Sequence, residues 1–209
     1  MIYDEESRLH GDKMLIASDL ITKLNATQKP DYVLQAMRLI SARLVNSGNT
    51  LVALYTGNLP YDWTFDGATI LRTSYDVMLQ GLYIMIDPKQ RTQRAKLYLD
   101  FMHIERQQRI DLVDRNDTDV ARDISNSPLR AENSPLIKKR FDEVKGNYLT
   151  RNGENVRKKW HPFSTLEGVA QAVSLGPEYE WLQYTLSKAV HSSPLALEEG
   201  TLLPSPPAR

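Results

Sequence analysis

Three polar side chains recur at intervals of four residues in a segment that is otherwise rich in apolar residues. Arg72, Asp76 and Gln80 occupy positions i, i+4 and i+8 of this segment, so on a helix they form one polar stripe. A buried arginine or aspartate is costly unless it is paired. Two interpretations follow: an internal ion pair that fixes the helix in register, or a guanidinium and a carboxylate that line a polar cavity.

A second polar stripe is predicted near the C-terminus, where four polar residues have offsets of 0, 4, 7 and 11: Glu180, Tyr184, Ser187 and His191. These offsets place all four on one face of a helix. His191 would end that helix, where the macrodipole favours the imidazolium that acid–base catalysis uses. The same position equally suits a histidine that only caps the helix.

Several kinds of site are excluded or disfavoured by what the sequence lacks. There is no cysteine, which excludes disulfides, thiolate metal sites and a cysteine nucleophile. The remaining histidines, His10, His103 and His161, have no partners at metal-ligand spacing. Neither a phosphate-binding glycine loop nor a Gly-x-Ser-x-Gly elbow occurs. We therefore expect no metal site and no cofactor.

Charge and hydropathy give weaker indications. The formal net charge is zero, which removes the general argument for nucleic acid or an anionic membrane as the main partner. Residues 138–159 nevertheless carry eight Lys and Arg against three Asp and Glu, which suits either a basic surface patch or a solvated helix face. The acidic start and the lack of a long apolar run predict a cytoplasmic bacterial protein with no membrane segment.

Helical periodicity extends through most of the chain, and no run alternates with the period of a strand. The predicted helices are 12–24, 30–57, 66–87, 89–113, 135–148, 164–173 and 177–191. A polar surface segment is expected over 114–134. The fold class is all-α, a single-domain helical bundle of about six to seven helices over 1–195, followed by a flexible Pro-containing tail over 196–209. The helix over 66–87 should be central and most buried, because apolar residues surround most of its circumference.

Two blocks of this sequence resemble a bacterial family of helical proteins catalogued as domain of unknown function 5677. The first block runs from Arg72 to Asp76 and continues as an apolar run to Ile86, and the second lies between Trp160 and Ser192. The resemblance covers roughly residues 10–195. It implies that the arginine, the acidic residue one turn later and the C-terminal Tyr, Ser and His are signature positions. Asp76 stands where glutamate is more frequent.

Such families are also similar to the HEPN superfamily, whose catalytic members are metal-independent ribonucleases of toxin and phage-defence systems. Those enzymes pair an arginine with a histidine several residues later on one helix, commonly across a dimer interface. The predicted helix before His191 carries no arginine. Either Lys188 substitutes in part, Arg72 reaches in from the other stripe, or the chain is not a nuclease.

The first functional hypothesis is an enzyme that acts on RNA or a nucleotide. His191 would be the general acid or base, Arg72 would stabilise phosphorane charge, and Asp76 would orient Arg72. Binding is assigned to five further residues: Gln80, Tyr98, Tyr184, Ser187 and Lys188. The alternatives are a non-catalytic interaction or sensor module of a defence or toxin–antitoxin pair, and a small-molecule binding protein. A homodimer and a genetically adjacent protein are the expected protein partners.

Overall fold

A computed structural model describes residues 31–56, 64–116, 118, 128–150 and 152–190. Within these ranges the chain forms six α-helices: α1 (Tyr32–Thr56), α2 (Thr64–Met85), α3 (Arg91–Arg115), α4 (Pro128–Val144), α5 (Leu166–Ala172) and α6 (Gly176–Val190). A 3-10 helix spans Lys145–Tyr148, and the extended structure within the same ranges is one isolated bridge between Leu149 and Val156. The all-α prediction is confirmed. The predicted helix over 12–24 and the tail over 196–209 lie outside the described residues.

Helix boundaries follow the local sequence signals closely at most positions. The ends of α1, α2 and α3 fall within two residues of their predicted positions. Helix α5 begins after Thr165, whose side chain accepts a hydrogen bond from the backbone N–H of Gly168 at 3.3 Å, which is the expected N-cap interaction. Among the described helices, none combines the length and the apolar character needed to cross a bilayer.

Helix α4 departs from the prediction. It begins at Pro128, inside the segment that the sequence predicts to be a polar surface excursion, and Pro135 lies within it instead of opening it. A proline in a helix interior removes a backbone hydrogen bond and is normally a boundary signal. Residues 129–132 are Leu-Arg-Ala-Glu, which are strong helix formers, and Pro128 suits the first turn. The first proline, and not the second, therefore marks the start of α4.

The contacts among the helices divide the chain into two compact units. The described part of the first unit consists of residues 31–56, 64–91 and 165–190, which hold α1, α2, α5 and α6. The second unit consists of residues 92–164. The prediction of a single domain that ends at residue 195 stays a prediction, because residues 191–209 lie outside the described part of the chain.

Helix α2 is the centre of the first unit, since it contacts α1, α5 and α6. Its residues Leu79 and Ile84 are fully buried, as is Ala36 of α1. A Cβ at Gly81 would lie 3.2 Å from Cγ2 of Ile40, so glycine permits the close approach of α1 and α2 at this point. The central position of α2 is as predicted.

The expectation that α2 is buried around most of its circumference is wrong for one side. Four large apolar residues of α2 and the turn after it remain exposed: Leu71, Leu82, Met85 and Ile86. Among the described helices, α1, α5 and α6 pack against α2 without covering these residues.

The second unit is organised around a buried tyrosine. Tyr148 is fully buried, and its hydroxyl donates a hydrogen bond to the backbone carbonyl of Leu97 at 2.6 Å. Its ring contacts the edge of Phe101 at 5.4 Å between centroids, and the Arg157 guanidinium lies 5.9 Å from the ring centre. Burial raises the pKa of the Tyr148 phenol, so the hydroxyl remains a hydrogen-bond donor.

His161 is a second buried polar group of this unit, with an exposed fraction of 3%. Burial lowers the pKa of its imidazole to about 4, and the positive charges of Lys159 and Arg157 act in the same direction against a backbone hydrogen bond with Phe163. The ring lies 5.7 Å from that of Trp160 in an edge arrangement. His161 is therefore a neutral core residue near neutral pH.

This burial predicts a pH dependence of stability. Because the folded-state pKa of His161 lies below its ordinary value of 6.5, the unfolded chain binds more protons between about pH 6.5 and pH 4. Stability should therefore fall as the pH decreases through that window, by about 3 kcal/mol from this residue. In His161→Phe the ring is kept and the titration is removed. Denaturant unfolding at several pH values should show that wild type loses stability relative to this variant on acidification.

His103→Phe is the matched control, because it also removes one histidine from the second unit. The neutral buried state assigned to His161 is incorrect if the unfolding free energies of His161→Phe and His103→Phe depend on pH in the same way. It is also incorrect if the unfolding free energies of wild type and His161→Phe depend on pH in the same way.

Candidate functional site

The polar stripe of α2 faces α6 inside the first unit. Seven residues of the two helices enclose a small space, which we call the α2–α6 polar cavity: Arg72, Tyr75, Asp76, Tyr179, Leu182, Gln183 and Leu186. Its volume is about 10 Å³, which is close to the smallest space that holds one water molecule. Two residues of the predicted polar stripe, Arg72 and Asp76, therefore line a small cavity, and the third, Gln80, does not.

Several buried polar atoms of α2 and α6 lack hydrogen-bond partners. Among the described residues they are Tyr75 Oη, Asp76 Oδ1, Gln183 Oε1 and Ser187 Oγ, and each is buried. Buried polar atoms are satisfied in the great majority of cases, so unsatisfied ones call for an explanation such as a bound group or solvent. Because four unsatisfied atoms belong to these two facing helices, the region around the α2–α6 polar cavity is the strongest candidate for a binding or catalytic site.

Asp76 is the residue that determines the electrostatics of the α2–α6 polar cavity. Burial raises the pKa of the Asp76 carboxyl, and the positive charge of Arg72 opposes the rise. The carboxylate is therefore held in an environment that disfavours its charge, and Arg72 is the group that compensates. The same carboxylate helps to raise the pKa of Tyr179, after the larger effect of burial.

Two tyrosines form one wall of the cavity. The rings of Tyr75 and Tyr179 stack with centroids 6.2 Å apart and an interplanar angle of 21°. Burial raises the pKa of Tyr75, and the negative charge of Glu178 adds to the rise. Both phenols therefore stay protonated near neutral pH and can donate hydrogen bonds.

The predicted site residues of α2 and α6 are brought together only in part. Arg72 and Asp76 line the cavity, whereas Ser187 does not line it, although its hydroxyl on α6 is buried without a hydrogen-bond partner. The Gln80 amide donates a hydrogen bond to the backbone carbonyl of Asp76 at 3.3 Å. Tyr184 is 66% exposed and does not line the cavity, so the face of α6 that meets α2 is not the predicted one.

The other predicted residues lie elsewhere. Tyr98 belongs to the second unit, where its ring contacts the edge of Trp160 at 5.3 Å. Lys188 is part of α6, but its side chain is outside the described part of the structure, and His191 is outside the described residues altogether. The roles assigned to these three residues stay predictions. Within the described residues, no three His, Asp or Glu side chains are grouped as metal ligands.

Sequence reasoning missed Tyr75, Tyr179 and Gln183 as site residues. The face of α6 that packs on α2 passes through Tyr179, Gln183 and Leu186, at offsets of 0, 4 and 7. The predicted stripe begins one residue later, at Glu180, which rotates it by about 100° around the helix. The usable signal was Tyr179 itself, since a large aromatic residue in the first turns of a helix favours a packed face.

A profile described as a family of unknown function, DUF5677, matches residues 36–202 of this chain. The chain belongs to this family. The DUF5677 match spans all six described helices apart from the first turn of α1, and it includes every predicted site residue from Arg72 to His191. No curated protein and no solved structure gave a significant match.

The energetic coupling of Arg72 and Asp76 can be measured with a double-mutant cycle. Because burial disfavours the Asp76 charge, Asp76→Asn should leave the unfolding free energy at pH 7 unchanged or raise it. Arg72→Met should lower it by about 1–2 kcal/mol, since the carboxylate then loses its compensating charge. The same Arg72→Met change should cost less in the Asp76→Asn background. Denaturant unfolding of the four proteins gives the coupling.

The Lys96 and Asp100 pair of α3 provides the matched control, since it has the same i, i+4 spacing, lies 3.3 Å apart and has an exposed lysine, with side-chain exposures of 49% and 19%. Its coupling should be about 0.5 kcal/mol or less. Equal coupling in the two cycles would mean that the Arg72 and Asp76 pair behaves as an ordinary surface pair.

Proposed function

We propose that this chain is a metal-independent enzyme that acts on RNA or a nucleotide in a bacterial defence or toxin–antitoxin system. The observation that carries the proposal is the α2–α6 polar cavity, where a guanidinium and a carboxylate adjoin buried polar atoms without partners. Ser187, on the same helix as the α6 residues of the cavity, has a buried hydroxyl without a partner, and His191 follows it four residues later in the sequence. The resemblance to HEPN ribonucleases supplies the reaction class.

Each group has a role that its chemistry suits. The planar guanidinium of Arg72 can bind two phosphate oxygens and stabilise the charge that develops on phosphorus during transfer. Asp76 orients Arg72 through their mutual attraction. His191 acts as the general acid or base, and no metal ion takes part.

The size of the cavity restricts how a nucleotide can approach. A space of about 10 Å³ admits no nucleobase, so the phosphate must meet Arg72 at the mouth of the cavity while the bases remain outside. Tyr184 is 66% exposed on α6, and the proposal assigns it the stacking of an unpaired base. Gln80 and Lys188 are the further binding residues of the proposal, whereas Tyr98 belongs to the second unit and is not part of this site.

Part of the basic side chains in residues 138–159 is engaged in ion pairs. Asp142 lies 3.5 Å from Lys138 and 2.7 Å from Lys145, and Glu143 lies 2.9 Å from Arg140. These pairs leave the net balance of the segment unchanged, but they hold three of its basic side chains against carboxylates of the same helix region. They favour a solvated helix face over a dedicated nucleic-acid patch, so the proposal rests on the cavity.

The second candidate function is a non-catalytic interaction module. A shallow groove of about 590 Å³ lies beside the polar cavity, and its lining is mostly apolar. Trp181, on its rim, is 66% exposed, as expected of an aromatic anchor at an interface. If the protein is an interaction module, the residues of the α2–α6 polar cavity serve only the packing of α2 on α6. The partner is then a genetically adjacent protein. Either function places the protein in the cytoplasm.

Activity on RNA separates the two candidates. Purified protein, alone and with any genetically adjacent partner, is incubated with total cellular RNA in the presence of EDTA. Wild type should cleave, and Arg72→Gln and His191→Asn should each lose activity by about 10²–10⁴-fold because charge stabilisation and acid–base catalysis contribute that much. His191→Asn should leave the melting temperature nearly unchanged.

His103→Asn is the control for the removal of a histidine, and it should retain full activity. If no condition gives cleavage, or if His191→Asn cleaves as fast as wild type, the interaction module becomes the better account.

A further inference from the structure

The groove beside the α2–α6 polar cavity differs from the cavity in size and in chemical character. Its volume is about 590 Å³, which lies in the range of sites that bind small molecules. Four of its lining residues are aliphatic or contain a thioether: Met78, Leu175, Pro177 and Leu182. The others are Tyr75, Glu178 and Trp181, and all seven belong to the first unit. We call this space the Glu178 groove.

Two aromatic rings and one carboxylate determine which charge the groove prefers. Trp181 is 66% exposed, and Tyr75, whose ring stacks on Tyr179, also lines the groove. Aromatic faces attract cations through the quadrupole of the ring. Glu178 is exposed, and among the described lining residues it is the one that carries a charge. The Glu178 groove is therefore complementary to a positive charge and disfavours an anion.

The carboxylate of Glu178 is available to a ligand. Within the described part of the chain, no lysine or arginine forms an ion pair with Glu178. Its negative charge acts on the wall of the groove, because it adds to the effect of burial in raising the pKa of Tyr75. Arg72 lines the polar cavity and not the groove. A cation in the groove would therefore meet a carboxylate without a competing basic side chain among the described lining residues.

The supply of hydrogen-bond acceptors restricts the kind of cation. A primary ammonium has three N–H donors, and each donor that leaves water needs another acceptor. The Tyr75 hydroxyl is buried, so the accessible side-chain acceptor among the described lining residues is the Glu178 carboxylate. An ammonium ion whose hydrogens are replaced by methyl groups needs no acceptor, and its methyl groups suit the apolar lining. Aromatic sites are well suited to such ions.

We propose that the Glu178 groove binds a small alkylated ammonium ion, whose positive charge lies beside the Trp181 ring and the Glu178 carboxylate. This inference goes beyond the proposed function and does not depend on it, because binding requires neither Arg72 nor any cleavage of RNA. The groove and the polar cavity share Tyr75 and Leu182. A bound ion therefore covers part of the wall that separates the polar cavity from solvent.

Titration of the full chain with choline, followed by nitrogen–proton NMR, tests the site. The chain has three tryptophans, and the indole N–H signal that is missing from the spectrum of Trp181→Phe reports on the groove. At constant ionic strength, choline should shift this signal with a Kd of about 1 mM. 3,3-Dimethylbutan-1-ol has the shape of choline without its charge, and it should bind at least about tenfold more weakly because cation–π and Coulomb attraction are lost.

A pair of glutamate variants on α6 tests the role assigned to Glu178. Glu178→Gln removes the charge and keeps the shape, so it should weaken choline binding by about tenfold and leave the binding of the neutral alcohol unchanged. Glu180→Gln is the matched control, since Glu180 is exposed on the same helix but does not line the groove. It should bind choline as wild type does. Circular dichroism and melting temperatures establish that both variants are folded.

Three results would overturn the proposal. The first is a Trp181 signal that shows no saturable shift up to about 50 mM choline. The second is equal affinity for choline and the neutral alcohol, since the groove would then bind apolar molecules whatever their charge. The third is a Glu178→Gln variant that binds choline as tightly as the Glu180→Gln variant does. These measurements use wild type and exposed variants without RNA, so their failure would leave the proposed enzyme to its own test.

Discussion

The first unit depends on one constraint, which is that α2 is largely apolar and must also carry the charges of Arg72 and Asp76 where it packs against α6. Its contacts with α1, α5 and α6 bury Leu79 and Ile84 completely. On the side that meets α6, the same helix presents Arg72 and Asp76 to a cavity that holds at most about one water molecule. The packing of α2 and the electrostatics of the candidate site are therefore one problem, because α6 both covers the helix and limits the solvation of its charges.

This arrangement holds Asp76 in an unfavourable state that a purely structural role does not require. An apolar residue at position 76 would pack against Tyr179 and Leu182 without the cost of burying a carboxylate. The unsatisfied Oδ1 of Asp76 and the unsatisfied hydroxyls of Tyr75 and Ser187 add to that cost. Strained electrostatics of this kind are frequent at functional sites, and for this reason the polar cavity, and not the basic segment of the second unit, is the basis of the proposed function.

Sequence patterns predicted the helices well because each depends on local signals. The periodicity of apolar residues predicted α1, α2 and α3. The start of α5 was predicted from Thr165, and the start of α6 from the Gly176-Pro177 pair. Which face of α6 meets α2 was not predictable in the same way. Two stripes that differ by one residue are equally regular, and the choice between them is made by the stacking of Tyr75 on Tyr179, which is a contact between distant parts of the chain.

The most direct test of this account is the pKa of the Asp76 carboxyl, followed by carbon-detected NMR titration of the folded protein. The account predicts an apparent pKa above the ordinary aspartate value in wild type, because burial outweighs the attraction of Arg72. In Arg72→Met the pKa should rise further, because the opposing charge is gone. An Asp76 pKa at or below the ordinary aspartate value in wild type, or one that is unchanged by Arg72→Met, would contradict the account.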